Sequence, residues 1–195
     1  MRIVLASKSP RRQELLRRIG IRFEVIPSNA DEDSVPKDNP AAYVRKLARL
    51  KARTVANKVR TGIVIGADTV VYCGGRIIGK PADRKEAARI LRLLGGRTHD
   101  VMTGVCIIEK PSGRIFTKVV STTVKFRRMN PELIDWYLRT KEYAGHAGGY
   151  AIQGYGGLLV EWIRGDYYNV VGLPLLSVVE MLERAGVKLQ DIQVK

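Results

Sequence analysis

Residues 62–81 read GIVIGADTVVYCGGRIIGKP. Ile, Val and Thr dominate the first part, which predicts a strand over Gly62–Tyr72. Cys73-Gly74-Gly75 then turns the chain into Arg76–Ile78, so a hairpin forms here. One residue disagrees with the apolar run. Asp68 follows the two small residues Gly66-Ala67, and a carboxylate inside a strand is costly unless paired, hydrogen-bonded or metal-bound. Two readings stay open at this point. Asp68 is a turn or capping residue, or it is a metal ligand or general base at the mouth of a sheet. Lys80 lies between Gly79 and Pro81, which excludes a P-loop, because GxxxxGK[ST] needs a hydroxyl residue after the lysine.

Outward from this stretch, helical and extended patterns alternate. Ile3–Leu5 reads as a buried strand and Phe23–Ile26 as a second, short one. The polar stretch PSNADEDSVPKDNP is loop. Asn39-Pro40 starts a helix reaching about Lys58. Asp83, with Glu86 three residues on, resembles a capping box and opens a helix closed by Gly95-Gly96. Val101–Glu109 and Ile115–Phe126 read as strands around Pro111-Ser112-Gly113. Asn130-Pro131 starts another helix, Leu158–Ile163 is a strand, and a last helix covers about Pro174–Ala185. Interleaved helices and strands with hairpins among them predict an α/β domain with a mixed sheet.

Several charged residues stand where simple patterning does not want them. In the helix after Pro40, residues Val44, Leu47, Ala48, Lys51, Ala52 and Val55 share one face, so Lys51 lies on the inward stripe. Either it snorkels to water or it meets an anion. Ser9 and Pro10 suit the N-cap and first position of a helix in SKSPRRQELLRRIG, residues 7–20. Arg11 and Arg12 then fall in its first turn, where each cation is misplaced by roughly 0.3–1 kcal/mol. A bound anion would reverse that sign. Asp31-Glu32-Asp33 gathers three carboxylates in a basic chain, and Mg²⁺ is typically held by one or two carboxylates plus substrate phosphates.

Bulk properties narrow the class. The chain has 195 residues, 45% of them hydrophobic and 27% charged, as in a globular protein with a sizeable core. A formal charge of +15 implies affinity for polyanions: nucleic acid, an anionic membrane face or a phosphate-rich small substrate. Cys73 and Cys106 form neither a CxxC pair nor a metal cluster, which suits a reducing compartment. No run approaches a membrane span or a signal peptide, so the cytoplasm is the expected location. GGYAIQGYGGLLV, residues 148–160, fails the dinucleotide fingerprint, because the third glycine would fall at Leu159 and a strand follows. Its glycines instead suggest a close approach of backbone to ligand. Gln153 carries an amide able to read a base edge or to bond the local backbone. His99 and His146 are isolated and read as structural. Trp136, Trp162 and Tyr167-Tyr168 read as packing, with no RNP-like pattern.

The strings ASKSPRRQELL, the acidic loop around Glu32, YVRKLARLKA, IGADTVV, GKP, THDVMTG, AGGYAIQG and YYNVVGLP follow one another from Leu5 to about Leu182. In that order they resemble the Maf family of nucleoside triphosphate pyrophosphatases. The resemblance implies a single Maf-like domain over residues 1–195 with the fold of inosine triphosphate pyrophosphatases: a mixed twisted sheet flanked by helices, in two lobes around a cleft. It also implies hydrolysis of a nucleoside triphosphate to monophosphate and pyrophosphate with a divalent cation, Mg²⁺ or Mn²⁺. In this family the position of Asp68 is the proton acceptor. Those of Arg11, Lys51 and Lys80 bind phosphates, and Ser7 belongs to the substrate-binding set. Glu32 and Asp68 would hold the metal. Arg12, Thr69 and Gln153 match the branch acting on dTTP and UTP.

Departures from the pattern are Lys8 for a small residue, Gly95 for serine, His146 for lysine, Gly149 for alanine and Ala151 for glycine. The changes near Gln153 bear on base preference more than on the chemistry. Two alternatives follow from other features: a basic nucleic-acid-binding or cell-division regulatory protein, and the same enzyme acting on 7-methyl-GTP or another modified nucleotide. Carboxylates among the singled-out cations disfavour nucleic acid as the partner. A homodimer is compatible with the sequence but specified by no feature of it.

Overall fold

A computed structural model describes residues 1–188 and 190. The β-branched run at Gly62 forms β3 (Gly62–Cys73). Its first half pairs in parallel with β1 (Ile3–Leu5), Ile3 opposite Ile63 and Leu5 opposite Ile65. Its end folds back through Gly74-Gly75, both at positive φ, into antiparallel β4 (Arg76–Ile78). Glycine is suited to both turn positions because it has no Cβ to clash there. The short β2 (Glu24–Val25) lies parallel on β1. With β5 (Thr98–Lys110), β6 (Ile115–Phe126) and β7 (Val160–Arg164), the described residues form a seven-stranded mixed sheet ordered β2-β1-β3-β5-β6-β7, with β4 on β3. The mixed α/β architecture is the expected one.

Helices α1 (Pro10–Arg18), α2 (Pro40–Ala56), α3 (Arg84–Leu94), α4 (Pro131–Arg139), α5 (Tyr167–Val171) and α6 (Leu175–Arg184) complete the chain. The cap signals of α2, α3 and α4 are satisfied by side chains. Asn39 accepts from Ala42 N, Asp83 from Glu86 N and Asn130 from Leu133 N. Glu86 accepts in return from Ala82 N at 2.8 Å, which ties down the start of α3 from a second side. Ser9 occupies the N-cap position of α1, but its side chain makes no cap bond; Ser7 Oγ accepts the Ser9 N–H instead. Three local expectations change. Phe23–Ile26 shrinks to two paired residues. The strand at Leu158 begins at Val160, because residues 155–159 close a 3-10 turn. The unexpected α5 is signalled by Asp166, whose carboxylate accepts from Asn169 N at its start.

The chain divides into two compact units. The first comprises residues 1–68, 103–120 and 172 onward; the second comprises 69–102 and 121–171. In the first, Val4, Ala6, Ala48, Ala52, Val55, Val64 and Cys106 pack α2 against strands of the sheet. The approach is backbone to backbone. A Cβ on Gly66 would stand 2.7 Å from Ala52 N, and one on Gly104 would stand 2.9 Å from Arg45 N. Only glycine lets the helix come this close, so these two residues set the seat of α2.

In the second unit, α3 and α4 cover a core that includes Leu91, Leu94, Phe126, Tyr137 and Tyr150. His99 is 2% exposed, edge-on to Phe126 and Tyr150, with Nε2 2.9 Å from the Tyr150 hydroxyl. Burial lowers its pKa from 6.5 to about 4. The unfolded chain therefore binds this proton more readily, and the neutral ring's stabilisation is lost as pH falls from 6.5 towards 4. The full difference corresponds to about 3 kcal/mol. Chemical denaturation of wild type against His99→Gln across that window should show the steeper acid loss only in wild type.

Candidate active site

The inward lysine and the strand aspartate meet. Lys51 is 8% exposed and Asp68 9% exposed, and Lys51 Nζ lies 2.6 Å from Asp68 Oδ1. The same ammonium lies 2.9 Å from Glu32 Oε1, whose side chain is about half exposed. Each partner is placed by its own element. The buried stripe of α2 carries Lys51 inward, β3 carries Asp68, and a 3-10 turn over Glu32–Ser34 carries Glu32. A near-buried carboxylate and ammonium tolerate each other's desolvation only as a bonded pair, and the exposed Glu32 adds a second partner. Lys51 therefore does not snorkel to water; it holds two carboxylates at one point. Tyr43, unremarked in the sequence, is buried on α2, and burial together with Asp68, Glu32 and Asp33 raises its hydroxyl pKa. Its aromatic position in the inward stripe was the only available signal.

Arg12 approaches the same strand from α1. It is 9% exposed. Its Nε donates to Gly172 O at 2.9 Å, and Nη1 donates to Ala67 O at 2.8 Å and to Ser7 Oγ at 3.2 Å. Burial pulls its pKa down, while the charges of Asp68 and Glu32 act the other way. One of the two opening arginines thus turns inward and binds the peptide that precedes Asp68. Arg11 is half-buried, and desolvation followed by the neighbouring Arg12 lowers its pKa.

The remaining sequence candidates belong to the second unit. Thr69 is half-buried in β3, next in the chain to Asp68. Lys80 is exposed between β4 and α3. Gln153 is exposed on a turn in which Gly154 N donates to Ala151 O at 3.1 Å. The glycines around it serve the chain itself: a Cβ on Gly156 would stand 2.8 Å from Ala151 N, and one on Gly148 2.7 Å from a Val71 methyl. Hydrogen bonds and ion pairs thus link Ser7 to Arg12, Arg12 to the peptide before Asp68, and Lys51 to Asp68 and Glu32, all within one unit. Thr69, Lys80 and Gln153 belong to the other unit.

Chemically, the first group offers an anchored carboxylate, an ammonium and a second carboxylate. Two converging carboxylates are a hard-oxygen donor set of the kind that suits Mg²⁺ when phosphates and water supply the remaining ligands. Among the described residues no group of three or more His, Cys, Asp or Glu side chains is gathered. Among them, too, no helix is long and apolar enough to cross a membrane.

Comparison with known proteins finds relatives that match over nearly the whole chain. A Pyrococcus furiosus protein named dTTP/UTP pyrophosphatase is 46% identical over 193 residues, 98% of each chain. One of the same name from Thermococcus gammatolerans is 52% identical over 181 residues, covering 93% of this chain and 95% of its own. One from Moorella thermoacetica is 49% identical, covering 95% and 96%. Among solved structures, the Staphylococcus aureus Ham1 protein aligns with a TM-score of 0.48 and 15% identity over 65% of this chain and 72% of its own. Residues 2–185 match the family model described as Maf-like protein, and the chain belongs to that family.

Proposed function

We propose that this protein hydrolyses nucleoside triphosphates, UTP and dTTP foremost, to the monophosphate and pyrophosphate. The observation that carries the reading is the buried Asp68, held by Lys51 together with Glu32. The names borne by relatives at 46–52% identity supply the substrate class. Water attacks phosphorus, the anhydride bond to the leaving pyrophosphate breaks, and the water's proton passes to a Asp68 carboxylate oxygen. Arg11, Lys51 and Lys80 are assigned the charge on the departing pyrophosphate, and Ser7 the placing of substrate. Chemistry of this kind depends mainly on positioning and on fixed charge.

Glu32 and Asp68 are the residues that would hold a divalent cation, Mg²⁺ or Mn²⁺. When bound, such an ion neutralises charge on phosphate oxygens. Arg12, Thr69 and Gln153 are assigned the choice of base. A cytoplasmic setting is part of this reading and suits two buried free thiols. No second copy is needed to assemble Glu32, Lys51 and Asp68, and light scattering on the purified protein decides between monomer and dimer.

The test is a panel of triphosphates, including 7-methyl-GTP, incubated with purified protein and Mg²⁺ or Mn²⁺, with pyrophosphate release measured. UTP and dTTP should exceed the purine nucleotides by at least about tenfold, the net worth of about one hydrogen bond. A chelator should stop the reaction. Turnover confined to 7-methyl-GTP replaces the base assignment, whereas no pyrophosphate from any member rejects the reading. Tight, steeply salt-dependent duplex binding in an inactive protein would favour the nucleic-acid alternative.

A further inference from the structure

The turn that presents Gln153 is fastened from outside by one carboxylate. Glu142 Oε1 accepts the Tyr155 N–H and Oε2 accepts the Gly156 N–H, each at 3.1 Å. Upstream of Gln153, Ala151 N donates to the Tyr137 hydroxyl at 3.3 Å. Trp136 packs edge-on to Tyr155 with ring centroids 5.9 Å apart. All these anchors come from α4 and the chain just after it, and they bracket Gln153 on both sides. The placement of Glu142 is itself specialised. Lys141 holds φ at 60°, the left-handed region that favours glycine, and Thr140 Oγ1 accepts the Glu142 N–H at 3.2 Å. Non-glycine residues persist in that region where the surroundings over-determine them. Gly154 completes the fit, because a Cβ there would run into the Glu142 carboxylate.

We propose that Glu142 is a positioning residue for base selection: its carboxylate, bonded to two consecutive N–H groups, fixes the turn that carries the Gln153 amide. A carboxylate on two peptide donors is a charge-assisted pair of bonds, stronger and more directional than a turn's own backbone bond. The turn within the loop rests on Gly154 N to Ala151 O and Gly157 N to Gly154 O. Without Glu142, these are left to resist the motion of an exposed glycine-rich segment. The proposal rests on the reading of Gln153 as the residue that meets the base. It adds that selectivity is set by a side chain that touches no substrate.

The experiment compares wild type, Glu142→Ala, Glu142→Gln, Gly154→Ala, Gln153→Ala and the Glu142→Ala/Gln153→Ala pair. Kinetics are measured with UTP and ATP, and amide exchange is followed at residues 151–157. Glu142→Ala should raise KM for UTP about tenfold, with a smaller fall in kcat, and collapse the UTP-to-ATP preference by the same factor. Glu142→Gln keeps one acceptor and should fall between the two. Gly154→Ala, which displaces the carboxylate without removing it, should reproduce Glu142→Ala. In the double variant the selectivity should equal that of Gln153→Ala alone. Exchange at Tyr155 and Gly156 should rise in Glu142→Ala.

Unchanged selectivity in Glu142→Ala, multiplied losses in the double variant, or a uniform fall in kcat for both nucleotides overturns the proposal. So does unchanged exchange, which is read even if no triphosphate is turned over. If Gln153→Ala alone keeps full selectivity, the underlying assignment of Gln153 has failed, and that result stands apart from any outcome at Glu142.

Discussion

Asp68→Asn should fold and lose turnover by about a thousandfold, within the range for removing a positioned proton acceptor. The fold survives because the substitution keeps the side chain's shape and leaves the buried Lys51 ammonium with a charged partner, Glu32, at 2.9 Å. Removing one side of a buried pair is ruinous chiefly when the remaining charge is orphaned. Here it is not. The amide also keeps an oxygen that can accept from Lys51 Nζ, which lies 2.6 Å from Asp68 Oδ1 in the native pair. What the amide lacks is an oxygen basic enough to take the water's proton. Circular dichroism and thermal melting should be close to wild type while pyrophosphate release falls by that factor. Full activity in Asp68→Asn would reject the role given to Asp68 and leave the cluster as a structural ion pair.

Arg12→Met should lower stability by about 3 kcal/mol, because it leaves the Ala67 and Gly172 carbonyls without the donors they have in the native protein. For a domain of this size that is a fall in melting temperature of roughly 10 °C. Methionine fills much of the arginine's volume, so a cavity adds little. The activity should fall as well. Arg12 grips the peptide oxygen directly before Asp68, and freeing that peptide loosens the carboxylate that accepts the proton. A residue that only touched the nucleotide would change KM and leave the melting temperature alone. That outcome would leave Arg12 its base-selecting assignment alone and remove its role in holding β3.

Much of the architecture was legible because burial leaves a periodic trace. The near-continuous β-branched run, buried on both faces, marks β3, and the double glycine marks its turn into β4. The apolar stripe of α2 marks which face goes inward. Lys51 was readable as an inward cation by the same rule, since its neighbours on the stripe are all apolar. Other features left no such trace. Glu142 sits in a polar stretch, RTKEY, where one more acid carries no periodic information, and α5 is too short to show a helical period. The paired arginines of α1 looked alike in sequence, and the periodic pattern gave no sign that Arg12 turns inward to bond backbone oxygens.

Sequence by itself determined the order and type of the long elements, the inward placement of Lys51, the anomaly of Asp68 and, through its ordered motifs, membership of the family. Tertiary structure alone decided that Glu32 and Asp68 share one ammonium, that Arg12 clamps the peptide before Asp68, and that Glu142 fastens the turn of Gln153. The reason is geometric. Periodicity records which side of an element is buried, whereas the partner waiting there depends on register and on how closely elements can pack. For Lys51 and Asp68 that closeness is granted by Gly66, where the backbone of α2 lies against the strand with no side chain between them.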